Sequence, residues 1–133
     1  MQRLVKISNI FYYNIPRVII VKNIGRSAVD LAYKVHGTLE SSEEPVVIIH
    51  GLLGSKKNWE SMSKKINTAT QKTVIAVDVR NHGESPHASS HTYPDLASDV
   101  SSLITKLSIK QAVIIGHSMG GRTAMVLALS EVE

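Results

Sequence analysis

The sequence predicts an α/β fold in which a mostly parallel sheet is flanked by helices. Two observations support this fold class. Short, nearly continuous runs of apolar residues alternate along the chain with segments whose apolar residues recur at helical spacing. The apolar runs then end in breaks that contain glycine. With 133 residues and a hydrophobic share of 43%, the chain has enough apolar surface for one domain with a buried core.

Four segments are predicted to be strands. Residues 29–35 alternate apolar and polar side chains, as a half-buried strand does. Residues 46–49, 73–79 and 112–115 are almost wholly apolar, as strands that are covered on both faces of a parallel sheet must be. Connections between such strands are expected to be right-handed crossovers.

Three segments are predicted to be helices. Ser55 can cap a helix that runs to about residue 70. Residues 92–107 carry apolar side chains at helical spacing, and a last helix is predicted from about residue 119 to residue 131. The inner face of the first helix is expected to carry Trp59, Met62 and Ile66.

Composition excludes several kinds of chemistry and partner. Cysteine is absent, so the chain can form no disulfide, thiolate zinc site or cysteine nucleophile. We expect no metal and no cofactor. The apolar runs are far shorter than the roughly 18 residues of a spanning helix, so we do not expect a transmembrane protein. From residue 30 onward the charge is nearly balanced, which argues against a nucleic-acid partner.

The positive net charge of +4 comes from the amino-terminal segment. Residues 1–29 contain five basic and no acidic residues, and their apolar residues include several at helical spacing. This pattern is typical of a mitochondrial presequence. We therefore predict a presequence at residues 1–27, with a flexible arm as the alternative, a partial domain at residues 28–133, and a location in mitochondria, in the matrix.

A G-x-S-x-G sequence lies between the strand predicted at residues 112–115 and the helix that follows. It consists of Gly116, His117, Ser118, Met119 and Gly120. A serine nucleophile on a strained strand-to-helix turn needs very small neighbours two residues to either side. The pattern therefore predicts a nucleophile elbow with Ser118 as the nucleophile. The alternative is a glycine-rich turn whose serine has a structural hydrogen bond.

Two backbone N–H groups are predicted to form an oxyanion hole. The Met119 N–H lies at the start of the last helix, where the helix dipole favours negative charge. The second donor is expected from the loop at residues 50–54, at the Leu52 N–H, because that loop follows a neighbouring strand.

Three motifs together resemble the alpha/beta-hydrolase superfamily of serine hydrolases. They are residues 50–55 (HGLLGS), residues 78–85 (DVRNHGES) and residues 116–121 (GHSMGG). The resemblance spans about residues 28–130 and implies the amino-terminal part of that fold. It implies an enzyme that hydrolyses a small-molecule acyl ester or lipid, including acylglycerols, through an acyl-enzyme on Ser118. It also implies that Asp78, Arg80 and His82 shape a turn, and Asp99 is expected to be a solvated or capping carboxylate.

The acid and the histidine of a catalytic triad follow the nucleophile in this family. After Ser118 the chain has only Glu131 and Glu133 as acids, and all six histidines precede it. We therefore expect little or no activity from this chain alone, and a non-catalytic binding or regulatory protein is the alternative. The strand at residues 112–115 would then be an exposed apolar edge and a site for a protein partner.

A second enzyme class shares part of the same segment. Residues 116–123 read G-x-x-x-x-G-R-T, which differs from a phosphate-binding P-loop by Arg122 in the lysine position. A P-loop-like nucleotide binder is therefore an alternative, although the other two glycine motifs would have no role in it.

Overall fold

One sheet of six strands forms the centre of the protein. The computed structural model describes residues 5–7, 10–15, 27–41 and 44–130. The strands lie side by side in the order β1-β2-β6-β4-β5-β3. Their bounds are β1 Val5–Ile7, β2 Ile10–Ile15, β3 Tyr33–His36, β4 Val46–Ile49, β5 Val74–Val77 and β6 Ala112–His117.

The central strands of the sheet are parallel. β4 pairs in parallel with β5 on one side and with β6 on the other. Every residue of β4 and β5 is buried, as the nearly continuous apolar runs require. β3 closes one side of the sheet as an antiparallel strand against β5. The fold class predicted from the sequence is confirmed.

Helices cover both faces of this sheet. Their bounds are α1 Glu60–Thr70, α2 Tyr93–Lys106 and α3 Met119–Ser130. Buried residues of α2 and α3 pack with Val47, Ile49 and other sheet residues in the larger apolar cluster. Trp59 and Ile66 pack against a smaller cluster on the other face, which includes Val46 and Ile48. Since β4, β5 and β6 run parallel, their carboxyl ends lie at the same edge of the sheet, where ligands bind in such folds.

The predicted strand at residues 29–35 is shorter and begins later than expected. Only Tyr33–His36 is a strand, and two backbone N–H groups before it bind side chains. The Val29 N–H donates to Asp99 Oδ1 at 2.9 Å, and the Ala32 N–H donates to Ser85 Oγ at 2.8 Å.

The helix predicted from Ser55 begins as a single 3-10 turn. Ser55 caps the turn at Lys56–Trp59, and the α-helical part starts at Glu60. Ser63 is the buried residue of α1, whereas Met62 is 44% exposed. The expectation that Met62 lies on the inner face was wrong, because the buried face of α1 carries Ser63 instead.

Two strands lie within the segment predicted as a presequence or arm. β1 pairs with β2, and β2 pairs antiparallel with β6 from Ile15 opposite Ala112 to Ile10 opposite His117. Residues 1–4, 8–9 and 16–26 lie outside the described residues. The expectation of an exposed edge at residues 112–115 was wrong, because the backbone of β2 pairs with that side of β6.

Within the described residues, no helix combines the length and the apolar character needed to cross a membrane.

Candidate active site

Ser118 lies on a tight turn between a buried strand and a helix. β6 ends at His117 and α3 begins at Met119, so Ser118 is the single residue between them. Its φ of 53° is in the left-handed region, which is uncommon for a residue with a side chain. Ser118 is exposed, while Met119 beside it is buried. The turn therefore presents the serine at the carboxyl edge of the sheet.

The two glycines of the motif permit this turn by close backbone packing. A Cβ atom on Gly116 would lie 2.3 Å from the Gly120 carbonyl oxygen. A Cβ atom on Gly120 would lie 2.1 Å from the Ile49 carbonyl oxygen, at the end of β4. Neither neighbour is a flexible side chain that could move away. Only glycine therefore fits at either position.

The same geometry does not suit a P-loop. A phosphate cradle needs several residues of loop between strand and helix, whose N–H groups surround the phosphates. Here Gly116 is still in β6, and Gly120 and Gly121 are already in α3 and buried. The turn has no room for a phosphate beside those glycines.

The loop at residues 50–54 lies against the turn at Ser118. A Cβ atom on Gly51 would lie 3.1 Å from His117 Nδ1 and 3.3 Å from Ser118 Cβ. Leu52 and Leu53, which follow Gly51, are 65% and 92% exposed. Leu53 also has a left-handed φ of 61°. The predicted oxyanion residue Leu52 is thus in the loop beside the serine, as the sequence suggested.

His50 fixes the start of this loop and is not free to act as a base. Its Nδ1–H donates to the Gly51 carbonyl at 2.7 Å, and its Nε2 accepts from the Val79 N–H at 3.1 Å. The side chain is buried, and this burial lowers its pKa below the ordinary value of 6.5. His50 is therefore a neutral imidazole with both nitrogens occupied.

Asp78, at the end of β5, holds the loop from the other side. Its carboxylate accepts from the Lys56 N–H at 2.7 Å, from the Lys56 ammonium and from the Glu84 N–H at 2.9 Å. Burial alone would raise the pKa of Asp78, but these hydrogen bonds outweigh burial and lower it below 3.8. The same contacts raise the pKa of Lys56, which also bonds Glu84.

Arg80 and Asp99 form a buried ion pair beneath the site. Arg80 Nε donates to Asp99 Oδ2 at 2.6 Å, and a terminal guanidinium nitrogen donates to Asp99 Oδ1 at 2.8 Å. Only 3% and 1% of the two side chains are exposed. The bond to Asp99 raises the pKa of Arg80. The expectation of a solvated or capping Asp99 was wrong, since this carboxylate joins α2 to the loop after β5.

The motifs that sequence reasoning singled out meet at one edge of the sheet. Ser118 and its two flanking glycines lie beside the loop that carries Leu52. Asp78, Arg80 and His82 form hydrogen bonds within the next loop and to its neighbours, as turn-shaping residues would. Sequence reasoning missed Lys56, which links the loop at residues 50–54 to Asp78. The sequence signal for this contact was the lysine that directly follows the HGLLGS motif.

A general base for Ser118 is not found among these contacts. Both ring nitrogens of His50 and of His82 bind backbone groups. Glu131 and Glu133, the acids that follow the nucleophile, lie outside the described residues. Within the described part of the chain, no group of three metal-ligating side chains is placed to hold an ion.

The fold and these motifs define the class of protein. Residues 44–133 match the family described as the alpha/beta hydrolase fold. The chain therefore belongs to this family of hydrolases.

Two named relatives and one solved structure are similar to this chain. Over 103 residues the chain is 45% identical to an sn-1-specific diacylglycerol lipase, ABHD11, of Xenopus tropicalis, covering 77% of this chain and 32% of the relative. It is 41% identical to ethanol acetyltransferase 1 of Eremothecium cymbalariae, covering 79% and 32%. A solved esterase from a marine microorganism is 40% identical, with a TM-score of 0.67, covering 75% and 36%. The chain thus spans about a third of the length of these relatives.

Proposed function

We propose that the chain carries the nucleophile half of a serine hydrolase that acts on carboxylic esters. One observation carries this proposal: Ser118 is exposed at a left-handed φ, directly before the first residue of α3. In the reaction, Ser118 Oγ attacks the ester carbonyl and loses its proton to a base. The alcohol leaves with that proton, and water then hydrolyses the acyl-enzyme.

The proposed oxyanion hole consists of the Met119 and Leu52 N–H groups. Met119 N–H is at the amino end of α3, where the helix dipole adds to the stabilisation of a negative oxygen. Leu52 follows Gly51, which packs beside Ser118. The neighbouring Leu53 N–H already donates to His82, so it is not the second donor. His117 and the glycines shape the turn and take no part in the chemistry.

The proposed substrates are acyl esters and lipids, with acylglycerols as the first class to test. The support is the relative that is named a diacylglycerol lipase, together with esterases among the similar solved structures. Other relatives are named ethanol or alcohol acetyltransferases. The same acyl-enzyme can pass its acyl group to an alcohol instead of water. Acyl transfer is therefore a second candidate reaction of this site.

We expect the 133-residue chain alone to turn over esters poorly. A serine without a base is a weak nucleophile at neutral pH, although an oxyanion hole by itself still provides some catalysis. If Ser118 has no enhanced reactivity either, the chain is a non-catalytic binding protein built on part of a hydrolase.

Labelling with a fluorophosphonate distinguishes a reactive serine nucleophile from a non-catalytic binding protein. We expect the probe to modify Ser118 slowly, because no base is found that would activate it, and the label to disappear in Ser118→Ala. The matched control is Ser61→Ala, because Ser61 is an exposed serine on α1 and should not affect labelling. Equal labelling of wild type and Ser118→Ala would contradict the proposed nucleophile. Turnover of p-nitrophenyl butyrate that is lost in Ser118→Ala would contradict the expected lack of activity.

We also propose that the protein is mitochondrial. The support is the basic, acid-free composition of residues 1–29. Fusion of residues 1–27 to a fluorescent protein tests this proposal, with a version that replaces Arg3 and Arg17 by glutamate as the control. Mitochondrial fluorescence only with the natural segment is the expected result, and diffuse fluorescence of both fusions would contradict it.

A further inference from the structure

We infer that His82 is a positioning residue that holds the loop carrying Leu52 by accepting a hydrogen bond at Nε2. The inference rests on the proposed function in one respect, since that function gives the Leu52 loop its catalytic importance. It assigns His82 a role beyond the shaping of its own turn.

The first observation is a hydrogen bond between two loops. The Leu53 N–H donates to His82 Nε2 at 3.2 Å, although the two residues are 29 positions apart in the sequence. The other ring nitrogen, Nδ1, is 2.9 Å from the Arg80 carbonyl oxygen, which can only accept. Nδ1 therefore carries the proton, and Nε2 is free to accept. Both contacts require the neutral ring with its proton on Nδ1.

The second observation is that this bond restrains an unfavourable backbone conformation. Leu53 has a φ of 61°, and its side chain is 92% exposed, so its side chain gains little from packing in compensation. A left-handed leucine costs about 1–2 kcal/mol relative to the right-handed conformation. Its N–H bond to His82 is therefore important for holding the peptide that follows Leu52.

Two other histidine rings lie beside that of His82. The centroid of His82 is 5.2 Å from that of His50 and 5.7 Å from that of His91. His50 is buried, whereas His82 is partly exposed.

The fixed charges on the surrounding loops are paired with one another. Lys56 contacts both Asp78 and Glu84, and Arg80 contacts Asp99. No charged side chain forms a hydrogen bond with the His82 ring within the described residues. A proton on Nε2 would turn it into a donor that faces the Leu53 N–H, also a donor, and the hydrogen bond would be lost.

The experiment follows the Leu53 amide in the full 133-residue chain by NMR, with ¹⁵N-labelled leucine. In the wild type, with histidine also ¹⁵N-labelled, we expect a scalar coupling across the hydrogen bond between the Leu53 amide nitrogen and His82 Nε2. In His82→Leu this coupling should disappear, and the Leu53 amide should exchange with solvent about 5-fold faster, the effect of one hydrogen bond.

Two further variants make the test specific. The amide oxygen of His82→Gln can accept the same hydrogen bond, so this variant should keep slow exchange of the Leu53 amide. His91→Gln removes the other neighbouring exposed ring and should leave the coupling and the exchange rate of Leu53 unchanged. If His82→Leu does not fold, the coupling in the wild type decides the question.

The outcomes are separable from those of the proposed function. Absence of the coupling in the wild type would overturn the inference, as would an unchanged exchange rate in a folded His82→Leu. None of these measurements needs ester hydrolysis. If Ser118 fails to react with a fluorophosphonate while the coupling between Leu53 and His82 is present, the proposed function fails and the positioning role remains.

Discussion

The two halves of the candidate site are held in place by different forces. The backbone-held half is the turn at Ser118, where backbone atoms are in close contact and Gly120 lies against the end of β4. The charge-held half consists of the loops at residues 50–56 and 78–85, which are held by polar and charged side chains, chiefly Asp78 and Lys56. The nucleophile should therefore be insensitive to pH and salt but intolerant of any added atom. The positions of the facing loops should depend on charge.

The largest effect is expected where the charge-held half is buried. Asp99→Asn leaves the Arg80 guanidinium buried without a counter-charge, and we expect the free energy of unfolding to fall by about 4 kcal/mol in urea denaturation. The control is Asp30→Asn in the exposed pair with Lys106, which should cost no more than about 0.5 kcal/mol. Equal losses in the two variants would show that burial does not strengthen this half.

The backbone-held half is tested by one methyl group. In Gly120→Ala the new Cβ would overlap the Ile49 carbonyl oxygen, which cannot move without distorting β4. We expect a loss of about 3 kcal/mol in urea denaturation, with no dependence on pH or salt. Gly51→Ala is the control, because its closest contact of 3.1 Å is to the His117 side chain. A smaller loss at Gly120 than at Gly51 would contradict the packing argument.

The pH dependence should be confined to the charge-held half. The hydrogen bonds of Asp78 lower its pKa below 3.8, so its ionised form stabilises the folded state above pH 3.8. That stabilisation is lost as the pH falls from 3.8 through the lower pKa of the folded protein. We expect Asp78→Asn to be about 2 kcal/mol less stable at pH 7, and the difference from wild type to shrink below pH 3.8.

A control for this acid effect is available on the surface. Hydrogen bonds from Lys34 and Lys64 lower the pKa of Glu60 to about 2, but the group is exposed. The effect of Glu60→Gln should therefore disappear in about 1 M salt, whereas that of Asp78→Asn should largely persist. Loss of both effects in salt would contradict the buried character of the Asp78 contacts.

The smallest expected effect concerns backbone strain in the loop beside Ser118. Leu53→Asn should raise stability by about 0.5 to 1 kcal/mol in thermal denaturation, because asparagine adopts a left-handed φ more readily than leucine. Leu129→Asn is the control, since Leu129 is also exposed but lies in α3. There asparagine should lower stability slightly through its weaker helix propensity. Destabilisation at both positions would mean that Leu53 is not strained.

Patterns within a short stretch of sequence were sufficient for most of the fold. The buried runs gave β4, β5 and β6, and the G-x-S-x-G spacing gave the turn at Ser118, because strand burial and turn geometry are decided by neighbours in the chain. Residues 10–15 are different. Helical spacing of apolar residues in that part of the chain did not reveal that the backbone of β2 pairs with β6, since strand pairing depends on a partner about 100 residues away.

Polar partners were likewise beyond sequence reasoning. Arg80 meets Asp99 across 19 positions, and Leu53 meets His82 across 29. Many charged residues could have been chosen for each, and only packing in three dimensions decides between them.

Because β2 pairs with β6, proteolytic removal of the amino-terminal segment would affect how readily the protein aggregates. Both β1 and β2 fall within residues 1–27, so a protease that removed this segment would leave a four-stranded sheet. The six residues of β6 that now face β2 would then form a bare apolar edge, which favours aggregation unless another strand replaces β2. Cleavage near residue 27 would thus change how the protein behaves in solution, and it would leave His117, directly before Ser118, without its strand partner Ile10.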